Sequence, residues 1–161
     1  SWYQHILGTN ESLFPWMDEG FTSYAEEAVS YEYNQTFATS SPFISAREKA
    51  QILVGNERAK TQLPAVQYSN YMGYLNLAKS GLEEPMSTHS DHYNTNYAYS
   101  SASYSKGGTF LGFLGYIVGD SVRDKILLNY YNTWKFKHPN VNDLVRVMEK
   151  ESGLEPNTNG V

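Results

Sequence analysis

Pro15-Trp16-Met17-Asp18-Glu19-Gly20-Phe21-Thr22-Ser23-Tyr24-Ala25-Glu26 reads as the opening of an amphipathic helix, and the rest of the chain is understood from it. Pro15 suits a first helical position, where its missing N–H is no loss and its fixed φ is already helical. Met17, Phe21, Tyr24, Ala25 and Ala28 recur with helical period and form an apolar stripe. Glu19 and Glu26 are seven residues apart, two turns, and so share the opposite face. Taken alone, two acids on the polar side of such a helix are most simply a solvated surface.

The chain has 161 residues, enough for one ordinary domain with a buried core. A net charge of −5 and a pI near 5.3, with no basic stripe, argue against nucleic acid or an anionic membrane as the main partner. There is no cysteine, which rules out disulfides and thiolate metal sites. No apolar run approaches the length of a membrane span. Fourteen tyrosines are read mainly as core and interface fillers. Localisation stays open between cytoplasmic and periplasmic or secreted.

Downstream, the polar stretch Asn34 to Ser41 is expected to be a loop closed by Pro42, and Ser45 to Arg58 a helix. A further helix should follow Pro64 and stop near Gly81. Leu82 to Ser103 breaks the helical rhythm and is expected to be a long loop, with His89, Asp91 and His92 on it. From Tyr104 to Val118 the apolar residues leave almost no polar face, so a central buried helix is expected. Gly107, Gly108, Gly112 and Gly115 lower its propensity, and close approach of a neighbouring helix or a substrate backbone would account for them. Asp120 or Ser121 should cap the next helix, in which Val122, Ile126, Tyr130 and Trp134 form the stripe. Asn140 should cap the last, closed by Gly153. Glu155 to Val161 is expected to be a frayed polar tail. The fold class is thus all-α, one domain of five to six helices over residues 1–154.

Three stretches together resemble the landmarks of gluzincin zinc metallopeptidases of the aminopeptidase N type: Ser1-Trp2-Tyr3, Trp16-Met17-Asp18-Glu19-Gly20-Phe21, and Tyr104-Ser105-Lys106-Gly107. The ending, with His138-Pro139, Asp143-Leu144, Met148-Glu149-Lys150 and Ser152-Gly153, is also similar to that family. There, H-E-x-x-H supplies two zinc-binding histidines and a general base, and a third ligand follows in W-L-N-E-G-F after eighteen intervening residues. With the second histidine just before Ser1, the register makes Glu19 that ligand. The resemblance implies the helical half of a thermolysin-like catalytic domain, with Trp2 to Leu7 as the tail of the first zinc helix and Pro15 to about Tyr33 as the second. It implies Tyr104 as the donor to the oxyanion, Tyr99 as a second active-site tyrosine, and Glu26 as a carboxylate that orients a ligand. It also favours cleft lining over metal binding for His89, Asp91 and His92.

Four positions depart from the commonest pattern: Gln4 and His5 stand for Gly-Asn, Gly8 for Thr and Asp18 for Asn. An inward Asp18 would add negative charge beside the metal. The sequence contains neither H-E-x-x-H nor G-x-M-E-N, and one carboxylate cannot hold a catalytic zinc. The expectation is therefore a zinc peptidase as parent, cleaving peptide substrates. This chain by itself should be inactive and bind zinc weakly, its partner being the N-terminal part of the catalytic domain. An exposed half-domain face would also favour homo-oligomers. The alternatives are a non-catalytic helical domain that binds peptides or a partner, and an unrelated helical domain.

Overall fold

A computed structural model of the chain describes residues 3–61 and 66–154. Among these the regular structure is helical: α1 (Pro15–Thr36), α2 (Ala46–Thr61), α3 (Tyr68–Ser80), α4 (Asn96–Ser100), α5 (Gly107–Val118), α6 (Asp120–Trp134) and α7 (Val141–Ser152). A π-helical segment, Ser101–Lys106, joins α4 to α5 without a break, so the seven segments make six rods. The all-α expectation holds. Trp2, Pro64 and the tail from Glu155 to Val161 lie outside the described residues.

α1 starts where its sequence says it should, with Pro15 at the first position and Asp18 in the first turn, where an acid complements the helix dipole. It runs past the expected end, and Asn34 to Thr36 are helical rather than loop. Two local contacts extend it: Thr36 Oγ1 donates to Glu32 Oε1 at 2.8 Å, and the Tyr33 and Phe37 rings stack one turn apart. Upstream, Tyr3 to Ile6 form a turn, with Leu7 N–H donating to the Tyr3 carbonyl at 3.0 Å. Leu7 then pairs with Lys137 in an isolated bridge, and Gly8 N–H donates to the Lys137 carbonyl at 3.0 Å, so the chain leaves the turn toward the end of α6.

The N-terminus of α2 is closed by a capping box: Ser45 Oγ accepts from Glu48 N–H, and Glu48 Oε2 accepts from Ser45 N–H at 2.8 Å. α3 ends at Gly81 in the left-handed conformation and α7 at Gly153, as their sequences foretell. Asn140 caps α7 in a second capping box with Asp143. α6 differs: Gly119 holds the cap position and no side chain caps it, with Asp120 already the first helical residue.

The largest correction concerns the stretch before Tyr104. The loop ends at Thr95, whose Oγ1 accepts from Ala98 N–H at 3.0 Å and opens α4. Asn96 to Ser103 are therefore helical, and Tyr104 lies inside the π segment instead of at a helix start. Their inward side is built from Ala98, Ala102 and Ser103, all fully buried, so no stripe of large apolar residues announces it. α5 is less enclosed than its composition implies. Leu111 and Leu114 are buried, but Ile117 is 72% exposed and Tyr116 91%.

The core unites Leu7, Trp16, Met17, Phe21, Leu111, Tyr130 and Leu144 from the entry turn, α1, α5, α6 and α7. Aromatic rings lock it: Phe21 meets Tyr3 at 5.6 Å and Tyr130 at 5.4 Å, and Trp16 meets Phe110 edge-on at 5.4 Å. Against this core α1 lies on α5 and the π segment, and α3 lies on the other side of the π segment. The tightest crossing is between glycines. A Cβ on Gly20 would sit 2.8 Å from Gly107 Cα, and one on Gly107 would sit 2.9 Å from Gly20 Cα. The glycines expected to answer to a close neighbour do so at Gly107, against α1, and at Gly108, against the Asn70 side chain of α3.

Candidate functional site

The Gly20–Gly107 crossing places their chain neighbours together. Glu19 precedes the first glycine, and Tyr104 lies three residues before the second. The Tyr104 hydroxyl lies near enough to the Glu19 carboxylate to feel its charge. Tyr99 and Asp18 lie near enough to act on the same hydroxyl. Burial first, then the neighbouring Glu19 carboxylate, hold the Tyr104 pKa above the ordinary 10.0, so the phenol is a neutral donor at physiological pH. A π segment is a frequent host of functional side chains, because its extra residue per turn re-aims what it carries.

From the other side, the entry turn contributes Gln4. Its Nε2 donates to Asp18 Oδ2 at 2.6 Å and to Glu19 Oε2 at 3.1 Å. Asp18 is only 3% exposed and points at Gln4. Burial raises its pKa to about 6; the Gln4 hydrogen bond works against this, and the charges of Glu11 and Glu19 add to it. The proton is thus held more tightly by the folded than by the unfolded chain, whose carboxyl titrates near 3.8. Stability falls as pH rises from about 4 through 6, and at pH 7 the whole penalty is present. Asp18→Asn keeps an oxygen to accept from Gln4 and removes the buried charge. It should stabilise the metal-free chain at pH 7 by about 1–3 kcal/mol, with the gain vanishing below about pH 4. Urea titrations at pH 7 and pH 4 check this, and an equal gain at both would be the contrary result.

Sequence reasoning treated Gln4 and Asp18 only as departures from a family pattern. The signal that could have joined them is that two unusual polar residues, one an amide and one an acid, fall on either side of the same turn.

The remaining residues are more scattered. Glu26 is exposed, two turns beyond Glu19 on the same face and roughly 10 Å along the axis. His89, Asp91 and His92 lie on the 82–95 loop, where the His89 and His92 rings meet at 4.9 Å and His89 Nδ1 accepts from Asp91 N–H at 3.1 Å. Ser90 docks this loop on the approach to α1, donating through its backbone to the Ser12 carbonyl and through Oγ to the Glu11 carbonyl. The base of the loop is tied by Lys106, which pairs with Glu83 at 2.6 Å, and by Glu84, whose carboxylate accepts from both the backbone N–H and the Nδ2 of Asn94. Tyr93 carries the loop to the site through an edge-on contact with Tyr99 at 5.6 Å.

Chemically, the cluster offers one half-buried carboxylate gripped by the Gln4 amide, with a phenol nearby. That fits one ligand position of a metal, since an outer hydrogen bond is what orients a ligating carboxylate. Among the described residues no group of three His, Cys, Asp or Glu side chains could hold a metal ion. A complete donor set therefore needs ligands other than these.

No curated protein and no solved structure matches the chain. A family model described as the peptidase family M1 domain matches residues 11–159, which takes in Glu19, Tyr99, Tyr104 and every helix, and the chain belongs to that peptidase family.

Proposed function

We propose that residues 1–154 form the C-terminal part of the catalytic domain of a zinc aminopeptidase of the aminopeptidase N type. In this reading Glu19 is one zinc ligand, and the H-E-x-x-H ligands and general base come from a part of the domain outside residues 1–161. Zinc, when bound, polarises the scissile carbonyl and activates water. Within this chain Glu19 would hold the metal, and Tyr104 would donate to the oxygen on which negative charge develops. Tyr99 stands behind Tyr104. The loop with His89, Asp91 and His92 would border the peptide cleft, and Glu26 would serve a ligand from the preceding segment.

One observation carries the reading: the Gly20–Gly107 crossing brings Tyr104 and the Glu19 carboxylate into one neighbourhood. A scaffold has no need of a glycine–glycine crossing that brings a half-buried carboxylate to a phenol 85 positions away in sequence. Hydrolysis of aminoacyl anilides by the full-length protein tests it. Activity should be lost to a chelator, return with zinc, and be absent on N-acetylated substrate, while residues 1–161 alone stay inactive. Cleavage of blocked peptides would make the parent a different kind of peptidase. Peptide binding without chelator-sensitive hydrolysis would favour the non-catalytic binding domain.

A further inference from the structure

We infer that Gln4 is a positioning residue for Glu19, a neutral clamp that holds the ligating carboxylate in place and ties it to the adjacent Asp18 carboxylate through one amide nitrogen. The inference rests on the reading of Glu19 as a zinc ligand.

The geometry is specific to an amide. Gln4 Nε2 carries two hydrogens, and the structure directs them to two different carboxylates, Asp18 Oδ2 at 2.6 Å and Glu19 Oε2 at 3.1 Å. Asp18 and Glu19 are consecutive in α1, so their side chains leave the helix about 100° apart and have no reason of their own to share a donor. The clamp comes from outside the helix, on the turn that precedes it by eleven residues. Across the site Tyr104, on the π segment, lies near the same carboxylate, and the hydrogen bond that holds it comes from the entry turn.

A neutral donor suits this place better than a cation. Lysine or arginine would compete with a metal for the Glu19 charge, whereas an amide orients the carboxylate and leaves its charge for the metal. For Asp18 the same nitrogen is a partner, so the buried acid beside Glu19 is hydrogen-bonded. The acid at position 18 and the amide at position 4 thus work as a pair.

Zinc affinity of the full-length protein tests the clamp, measured by competition with a chromogenic chelator, together with the visible spectrum of the cobalt-substituted form. Gln4→Met keeps the length of the side chain and removes both N–H groups. It should weaken zinc binding about 10–100-fold, the usual effect of removing an outer hydrogen bond from a ligand, and shift the cobalt bands. Glu19→Gln, run alongside, should weaken binding at least as much. If Glu19→Gln weakens binding and Gln4→Met stays within twofold with an unshifted spectrum, the clamp is refuted and the zinc reading survives. If Glu19→Gln itself leaves affinity unchanged, the zinc reading falls and takes the clamp with it. The double variant Gln4→Met/Asp18→Asn strands no buried charge, so it guards against a folding defect. Weakening should persist in it, and a return to the original affinity would show that Gln4 serves Asp18 alone and overturn the proposal.

Discussion

Gly20→Ala should destabilise the chain by about 1–2 kcal/mol, although alanine is the better helix former. The new methyl carbon would lie 2.8 Å from Gly107 Cα, 2.9 Å from Gly107 C and 3.1 Å from Ser103 O. All three neighbours are backbone, so relief requires α1 and α5 to move apart. Overpacking of this kind typically costs 1–3 kcal/mol, and here it must also outweigh a propensity gain of about 1 kcal/mol. A rigid backbone contact places the effect at the upper end. Gly55→Ala is the internal control: it lies within α2 with nothing inside 4 Å of the added carbon, so only the propensity gain of roughly 0.5–1 kcal/mol should appear. Urea midpoints of the two variants should therefore move in opposite directions. A Gly20→Ala midpoint equal to or above the parent's would mean that the crossing is looser than described. The same separation would also draw Glu19 away from Tyr104.

Tyr104→Phe should lower kcat of the full-length protein about 10²–10³-fold, the range seen when one oxyanion donor is removed. The ring stays, so the packing of the π segment is kept and KM should change only a few-fold, the pattern of an interaction made in the transition state. The pH profile offers a sharper check. Burial and the Glu19 carboxylate hold the phenol pKa above its ordinary value, so Tyr104 remains protonated through neutral and mildly alkaline pH. Any alkaline loss of activity below about pH 10 must then come from another group, and Tyr104→Phe should scale the whole profile down without moving its alkaline limb. A kcat within threefold of the parent, or a displaced limb, would remove Tyr104 from the proposed role.

The contrast between what the residues announced and what they concealed is physical. α1, α3 and α7 were legible because Pro15, Gly81, Asn140 and Gly153 act locally, through a fixed φ, a left-handed turn or a side-chain cap. α4 was not. Along the joined column the buried residues Ala98, Ala102, Gly107, Leu111 and Gly115 are spaced four, five, four and four apart, and the five falls in the π segment. A period that slips by one residue, carried by alanine and glycine, leaves no amphipathic pattern to read. The helix cap of α6 was misread for a related reason: Gly119, with φ of 89°, makes the turn by backbone freedom and needs no side chain. At the site, Glu19 and Tyr104 came from the resemblance and not from periodicity, and the structure brings the two near each other. Gln4 stayed hidden because its role depends on a meeting across fourteen residues that no local rule encodes.

The closed base of the 82–95 loop has a consequence for how such a protein can change over time. Glu84 grips Asn94, ten residues on, and Lys106 holds Glu83, so the two ends of the loop are fixed to each other and to the column that carries Tyr104. Residues 85–93 hang from that clasp as an exchangeable cassette. Lengthening a loop whose ends are already joined adds little entropic cost, since that cost grows only with the logarithm of length. Mutations and insertions between Pro85 and Tyr93 can therefore alter what the loop displays, His89 and His92 included, while the clasp keeps its hold on the column that carries Tyr104.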